Sequence, residues 1–238
     1  DPEDFYPCGE AYSGNRKDTI YAMIDDSNNI VDVDSGLSSG TWNFTSGEMN
    51  PVRRRAVSFG YNGYIYSLAG YSGTASLEDL LFAKIDVSTG DMGDFTSSGV
   101  VVTPRWDLRA IVSNGYVYAL GGCAVGTAPS GCTEMQEEVQ TFQLYNNDSG
   151  AAQQYTNMSD NDFTTDLNRW GASSAIYTDT ANNNQAYIYV AGGCISATDC
   201  TDATASVQYA SISKADGSIG TWSAGGSLPG DRAWGQLE

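Results

Sequence analysis

The sequence predicts an all-β protein built from repeated four-stranded antiparallel units, and three observations carry that prediction. First, 27 Gly and 15 Tyr against only 17% charged residues in 238 favour turns and strands over helices. Second, the run Asn62-Gly-Tyr-Ile-Tyr-Ser-Leu-Ala-Gly70 returns as Asn114-Gly-Tyr-Val-Tyr-Ala-Leu-Gly-Gly122, and more loosely as Gln185-Ala-Tyr-Ile-Tyr-Val-Ala-Gly-Gly193. Third, an arginine stands ahead of each unit, at Arg53, Arg105, Arg169 and Arg232, with spacings of 52, 64 and 63 residues. A fixed order of elements recurring at such intervals is the mark of a repeat architecture.

Each unit reads the same way along the chain. A first strand follows the arginine, at Arg55–Phe59, Leu108–Val112 and Ala172–Tyr177. The Asn-Gly pairs at 62–63 and 114–115 form tight hairpin turns into the apolar, aromatic second strand. After a loop comes a third strand, at Leu80–Ile85, Val139–Leu144 and Val207–Ile212, with an earlier copy at Thr19–Ile24. A polar turn then leads to an aromatic on a fourth strand: Trp42, Phe95, Tyr155 and Trp222. Four short strands in units of 50 to 60 residues are expected of β-propeller blades.

The repeated Arg, the Tyr-Ile-Tyr-x-x-Gly-Gly strand, the apolar third strand, and the Trp ahead of a Leu-Pro segment between Trp222 and Arg232 together resemble kelch repeats over nearly the whole chain. The resemblance implies a β-propeller, usually of six or seven blades, serving mostly as a binding scaffold. A minority of such proteins are carbohydrate oxidases, whose copper-binding His and paired active-site residues have no counterparts here. The expected division is a partial blade at 1–52, full blades at 53–104, 105–168 and 169–231, and the start of another at 232–238, about three and a half blades. An open arc exposes blade faces and edges. The chain is therefore expected to be part of a longer polypeptide that completes the propeller, or to complete itself with identical subunits.

Eleven basic against twenty-nine acidic residues give a net charge of −18, which repels phosphate backbones and anionic lipid and argues against nucleic acid as a partner. No stretch reaches the roughly 18 apolar residues that span a bilayer, so no membrane insertion is expected in this segment. The sequence holds no His, which removes the commonest general base and imidazole metal ligation. Cys123 and Cys194 each follow a Gly-Gly pair, and Cys132 and Cys200 lie a few residues on. Two local disulfides are expected to close the loops between second and third strands, each worth about 2–3 kcal/mol. Cys8 precedes its third strand much as Cys200 does, and its partner is expected upstream of residue 1. Disulfides of this kind imply an oxidising compartment, extracellular or at the cell surface.

The arginines Arg53, Arg105, Arg169 and Arg232 are expected around the mouth of an axial channel, tying blades together through carbonyls or carboxylates, or holding an anionic ligand such as an acidic sugar. Glu134, Glu137, Glu138, Asp199 and Asp202 on the same face read as a solvated surface. Sequons at Asn43, Asn147 and Asn157 are candidate glycan acceptors on the surface. Acidic turns at Asp25–Asp26, Asp86–Asp91, 146–149 and Asp216 could hold Ca²⁺, although Asp, Asn and Gly are also what turns require. No catalytic constellation, other cofactor or metal site is expected. The reading that results is a non-enzymatic extracellular scaffold for adhesion, recognition of glycans or surface proteins, or assembly. The alternatives are a secreted carbohydrate-active enzyme and a structural subunit of a surface layer or filament.

Overall fold

The computed structural model describes residues 18–21, 23–24, 30–31, 43–127, 131–144, 152–154, 168–196 and 200–235. Among them there is no helix, and every strand pairing is antiparallel. At the N-terminal end β1 (Asp18–Tyr21) pairs with β4 (Asn43–Glu48), while β2 (Met23–Ile24) pairs with β3 (Ile30–Val31). The first four-stranded sheet runs β5 (Val57–Tyr61), β6 (Tyr64–Tyr71), β7 (Ser76–Lys84) and β8 (Thr96–Val101), each strand beside the next. The second contains β9 (Arg109–Ser113) and β10 (Tyr116–Leu120), then β13 (Val139–Leu144) and β14 (Ala152–Gln154). Between β10 and β13 the chain forms a separate hairpin, β11 (Cys123–Thr127) and β12 (Gly131–Met135). The third sheet is a plain meander of β15 (Ser173–Asp179), β16 (Gln185–Ala191), β17 (Thr204–Ile212) and β18 (Ser223–Arg232).

Local chemistry accounts for this order. Tyr61 faces Tyr64 and Ser113 faces Tyr116 across two-residue turns, with both Asn62-Gly63 and Asn114-Gly115 at positive φ. That is the turn whose twist matches paired strands, and Asn-Gly adopts it at little cost. Phe95 and Trp222 lie immediately before β8 and β18 and are buried. Trp42 and Tyr155 lie outside the described residues.

The three sheets stack face to face, the tyrosine-bearing faces of the first and second sheets meeting mainly aliphatic faces of the second and third. Val57, Phe59, Tyr64, Tyr66 and Phe82 of the first sheet pack with Ala110, Val112, Val117, Ala119 and Phe142 of the second. One layer on, Ile111, Tyr118 and Val139 of the second sheet pack with Ala186, Ile188, Val190, Ala210 and Ile212 of the third. The residues alternate along each strand as a two-faced sheet demands. Tyr66 and Tyr118 occupy the same register, opposite Phe59 and Ile111 respectively, and both are buried. Burial pushes the Tyr66 hydroxyl up to about 12 and the Tyr118 hydroxyl up as well, while the latter donates to the Gly217 carbonyl at 2.7 Å. The outer side of the first sheet is covered by Met49 over Leu81, Ala83, Met92 and Phe95. The described sheets form an open row and do not close into a ring.

The second glycine of each Gly-Gly pair marks where the sheets approach an end. Gly122 has φ +102, and a Cβ there would lie 3.0 Å from both the Leu108 Cβ and the Trp106 carbonyl oxygen. Gly122→Ala is therefore expected to cost about 1–3 kcal/mol in urea denaturation. Gly226→Ala on β18, where a Cβ meets nothing within 4 Å, should change stability by less than about 0.5 kcal/mol.

Candidate functional site

All three sheets direct the end of the second strand and the segment before the first strand to one place, here termed the hub. A repeated arginine stands there as a post, and at Arg105 and Arg169 the post has two attachments. Its main chain belongs to the preceding sheet: the carbonyls of Arg105, Arg169 and Arg232 accept from the amides of Gly70, Gly122 and Gly193 at 2.8, 3.0 and 2.7 Å. Its side chain belongs to the following sheet. The Nη1 groups of Arg53, Arg105 and Arg169 donate to the carbonyls of Ala69, Gly121 and Gly192 at 3.0, 3.2 and 2.8 Å. Each Nη1 also reaches the start of the third strand, at the carbonyls of Asp79, Glu138 and Ser206.

The sequence left these arginines two roles, tying blades together through carbonyls or carboxylates or holding an anion at a channel mouth. Arg53, Arg105 and Arg169 are 7, 0 and 1% exposed and lie inside the packing. A buried guanidinium needs acceptors and a counter-charge. Asp79 supplies both to Arg53 at 2.9 Å, and Glu138 does so for Arg105 at 3.1 Å, beside a Gln140 Oε1 at 2.8 Å. In the third sheet Ser206 Oγ accepts from Arg169 Nη2 at the equivalent position. Glu138 is thus a counter-ion rather than part of a solvated surface, which corrects the sequence reading. Burial holds the Arg105 pKa down at about 10, with Glu138 opposing the shift. Arg232 is exposed.

Two residues after each post lies a position that the sequence does not reveal. Arg55, Asp107, Gly171 and Trp234 share no chemistry, yet all have φ between 52° and 61°. The amide of each donates to the carbonyl of the one before: Asp107 to Arg55 at 3.0 Å, Gly171 to Asp107 at 3.0 Å, and Trp234 to Gly171 at 2.6 Å. A main-chain ladder thereby runs through the hub from unit to unit. Around it, Tyr71, Trp106, Trp170 and Trp234 meet edge to face, with ring centroids 6.4, 5.2 and 5.4 Å apart. Arg54 lies over Tyr71, and Arg55 over Trp106, each 5.3 Å from the ring centroid. Asp107 Oδ2 accepts from both Arg55 Nη1 and Trp234 Nε1.

Both expected cysteine pairs meet at this end. Cys123 and Cys132 are bonded across the β11–β12 hairpin with Cα atoms 5.6 Å apart, and Cys194 and Cys200 are bonded with Cα atoms 4.9 Å apart. Cys123, Cys132 and Cys194 are buried against Trp106, Trp170 and Tyr71. Two disulfides are consistent with an oxidising setting. Cys8, Asn147, Asn157 and Asp199 lie outside the described residues, and Asn43 begins β4. Glu134 and Asp202 are exposed, and Glu137 accepts from Asn168 Nδ2 at 2.6 Å on the surface.

Of the acidic turns, Asp25–Asp26 and 146–149 lie outside the described residues, and those at Asp86 and Asp216 are occupied by their own hydroxyls and amides. Asp86 Oδ1 accepts from the Ser88 amide and Oγ at 2.9 and 2.6 Å, and Asp216 Oδ1 accepts from the Ser218 amide and Oγ at 3.1 and 2.8 Å. Among the described residues no three His, Cys, Asp or Glu side chains gather as metal ligands. No helix of the described residues is long and apolar enough to cross a membrane.

No family model and no curated protein matches the sequence. Among solved structures, the fold is similar to that of YjhT, with a TM-score of 0.56 and 12% identity, over 82% of this chain and 62% of that one. The chain thus spans less than two thirds of the length of that structure.

The posts, the staples and the acidic turns each make a measurable difference. Arg105→Met should cost about 2–4 kcal/mol in denaturant unfolding, since it leaves the Glu138 carboxylate without its counter-charge. Lys84→Met, at an exposed strand end, should be near neutral in the same measurement. Replacing both Cys123 and Cys132 by Ser should cost about 2–3 kcal/mol, again read from denaturant unfolding. The Asp216 carboxyl is held below its ordinary pKa by hydrogen bonds from Ser213 and Ser218. Its stabilising contribution is therefore present above the ordinary Asp range and lost as pH falls through the lowered value. An NMR titration should show that lowered midpoint, returning toward normal in Ser218→Ala.

Proposed function

We propose that the chain is a segment of an extracellular β-propeller of kelch-like repeats, acting as a non-enzymatic scaffold for binding, adhesion or assembly. The observation that carries this reading is the hub. Three successive four-stranded sheets are joined there by the same post, the same glycine contact and the same ladder. Blades arranged around an axis require that repetition. The two disulfides favour the extracellular placement, and the kelch resemblance favours a binding role.

The hub end also favours binding over chemistry. Several of its charged groups are engaged with one another, Arg53 with Asp79, Arg55 with Asp107, and Arg105 with Glu138, while Glu134, Asp202 and Arg232 are exposed. Beside them, the Cys123–Cys132 and Cys194–Cys200 disulfides cross-link the chain next to the exposed Val125 and Ile195. A cross-linked surface has less conformational freedom to lose on binding. The partner surface proposed is therefore this stapled end, and the partner class is a glycan or a surface protein.

A glycan array and a panel of surface proteins, read by saturable binding and by product release, test the proposal. Binding without turnover is the expected result. Val125→Asp with Ile195→Asp should weaken it at least about tenfold, a loss of ~1.4 kcal/mol, with an unchanged melting temperature. Turnover of a glycan that disappears in Glu134→Gln would point to a carbohydrate-active enzyme instead, and ordered oligomers without any ligand to a structural subunit.

A further inference from the structure

Arg109 opens β9 at a register where the first sheet has Val57 and the third has Ser173: Val57 faces Leu68, Arg109 faces Leu120 and Ser173 faces Ala191. An arginine at this register belongs to the second unit alone, so the frame shared by the three sheets does not require it. It is half-buried, and its Nε donates to the Ala172 carbonyl at the start of the third sheet, which holds the guanidinium in place. Among the described residues no acceptor takes its Nη1 or Nη2, and no carboxylate lies within ion-pair distance. Arg53, Arg55 and Arg105 differ in this respect, since each pairs with a carboxylate. Burial holds the Arg109 pKa below its ordinary value, with Asp107 opposing the shift, and an arginine so placed still carries its charge at neutral pH.

Arg109 lines a cavity between the second and third sheets, together with Asp107, Leu120, Arg169, Ala172 and Val190. The cavity measures about 10 Å³, room for one water-sized group. A space with charged groups in its wall does not stay dry. The charges decide what suits it. The carboxylate in the wall is that of Asp107, and its Oδ2 already accepts from Arg55 Nη1 and Trp234 Nε1. Arg55 and Arg109 thus face a single carboxylate, which leaves the site positive in a chain of net charge −18. A cation is repelled there. A water molecule offers Arg109 an acceptor but no counter-charge, and a half-buried guanidinium calls for both. An anion supplies both, and beside the apolar walls of Leu120, Ala172 and Val190 its attraction is less screened than in bulk water. A polyatomic anion exceeds the space, whereas a halide fits.

We infer that this cavity is a halide site, in which a chloride ion accepts from the Nη groups of Arg109 and serves as the counter-ion at the junction of the second and third sheets. The site requires only the stacking of those two sheets and stands independently of the propeller reading.

Crystals of the protein grown in sodium bromide test the site without any substitution. An anomalous scattering peak is expected in the cavity, within hydrogen-bond reach of the Arg109 guanidinium. Water alone at that position, with bromide confined to the outer surface, overturns the inference. Solution NMR supplies a second measurement: the chloride line of a sodium chloride solution should broaden when the protein is added, and sodium bromide should remove the excess broadening by competition. Arg109→Met should lose that broadening, and Lys84→Met, at an exposed strand end, should keep it. Arg109→Lys, which retains the charge without the planar fork, should fold and show less broadening than the unsubstituted protein. Broadening that survives undiminished in Arg109→Met and Arg109→Lys places the anion elsewhere and overturns the assignment. Stronger competition by acetate than by bromide assigns the cavity to a carboxylate group and overturns the halide.

Discussion

The contact on which the described sheets depend is the two-way attachment of the repeated arginine. Its carbonyl is fixed to the glycine corner of one sheet, and its guanidinium to the corresponding corner of the next. Two sheets could slide over an aromatic–aliphatic interface with little change in buried area, because the hydrophobic effect is not directional. Hydrogen bonds at 2.8 to 3.2 Å from Arg105 and Arg169, each to both sheets, remove that freedom. The left-handed residue two positions later then aligns its amide with the preceding unit and carries the same offset onward.

A buried guanidinium is a poor source of stability in itself. Desolvation lowers the pKa of Arg105 despite its carboxylate partner, so burial outweighs the attraction. Arginine is nevertheless suited to the position because its planar fork can satisfy several acceptors at fixed angles. Arg105 reaches Thr103, Gly121, Glu138 and Gln140 at once. A methionine of similar length would fill the space and leave those carbonyls without donors. The benefit therefore lies in fixing the spacing between sheets, and the surrounding aromatic and disulfide packing offsets the desolvation.

Much of this was legible in the sequence because it depends on side-chain pattern. The strands follow alternation and Asn-Gly turns, and the disulfides follow from cysteines placed after Gly-Gly. The repeated arginine was visible too, but its surroundings were not: sequence spacing alone cannot distinguish a rim from a buried corner. Glu138 illustrates the difficulty, since it sits in an acidic stretch with Glu134 and Glu137 and only register places it before Val139, as Asp79 stands before Leu80. The ladder was invisible for a deeper reason. Its four members are Arg, Asp, Gly and Trp, and they share a backbone conformation rather than a side chain.

A shared backbone conformation lets the hub vary while the stacking does not. A non-glycine residue at positive φ carries a conformational cost of order 1–3 kcal/mol in the less favourable cases. It persists where the surroundings over-determine the backbone, and here the post before it and the ladder bond at its own amide do so. Because the main chain is held on both sides, no single side-chain type is required at this position. Arg55, Asp107 and Trp234 use that freedom to form a connected polar and aromatic surface over the ladder, while Gly171 leaves room beneath the Trp234 ring. Repetition thus fixes the framework through the backbone, and leaves its chemistry at the exposed end open to change from one unit to the next.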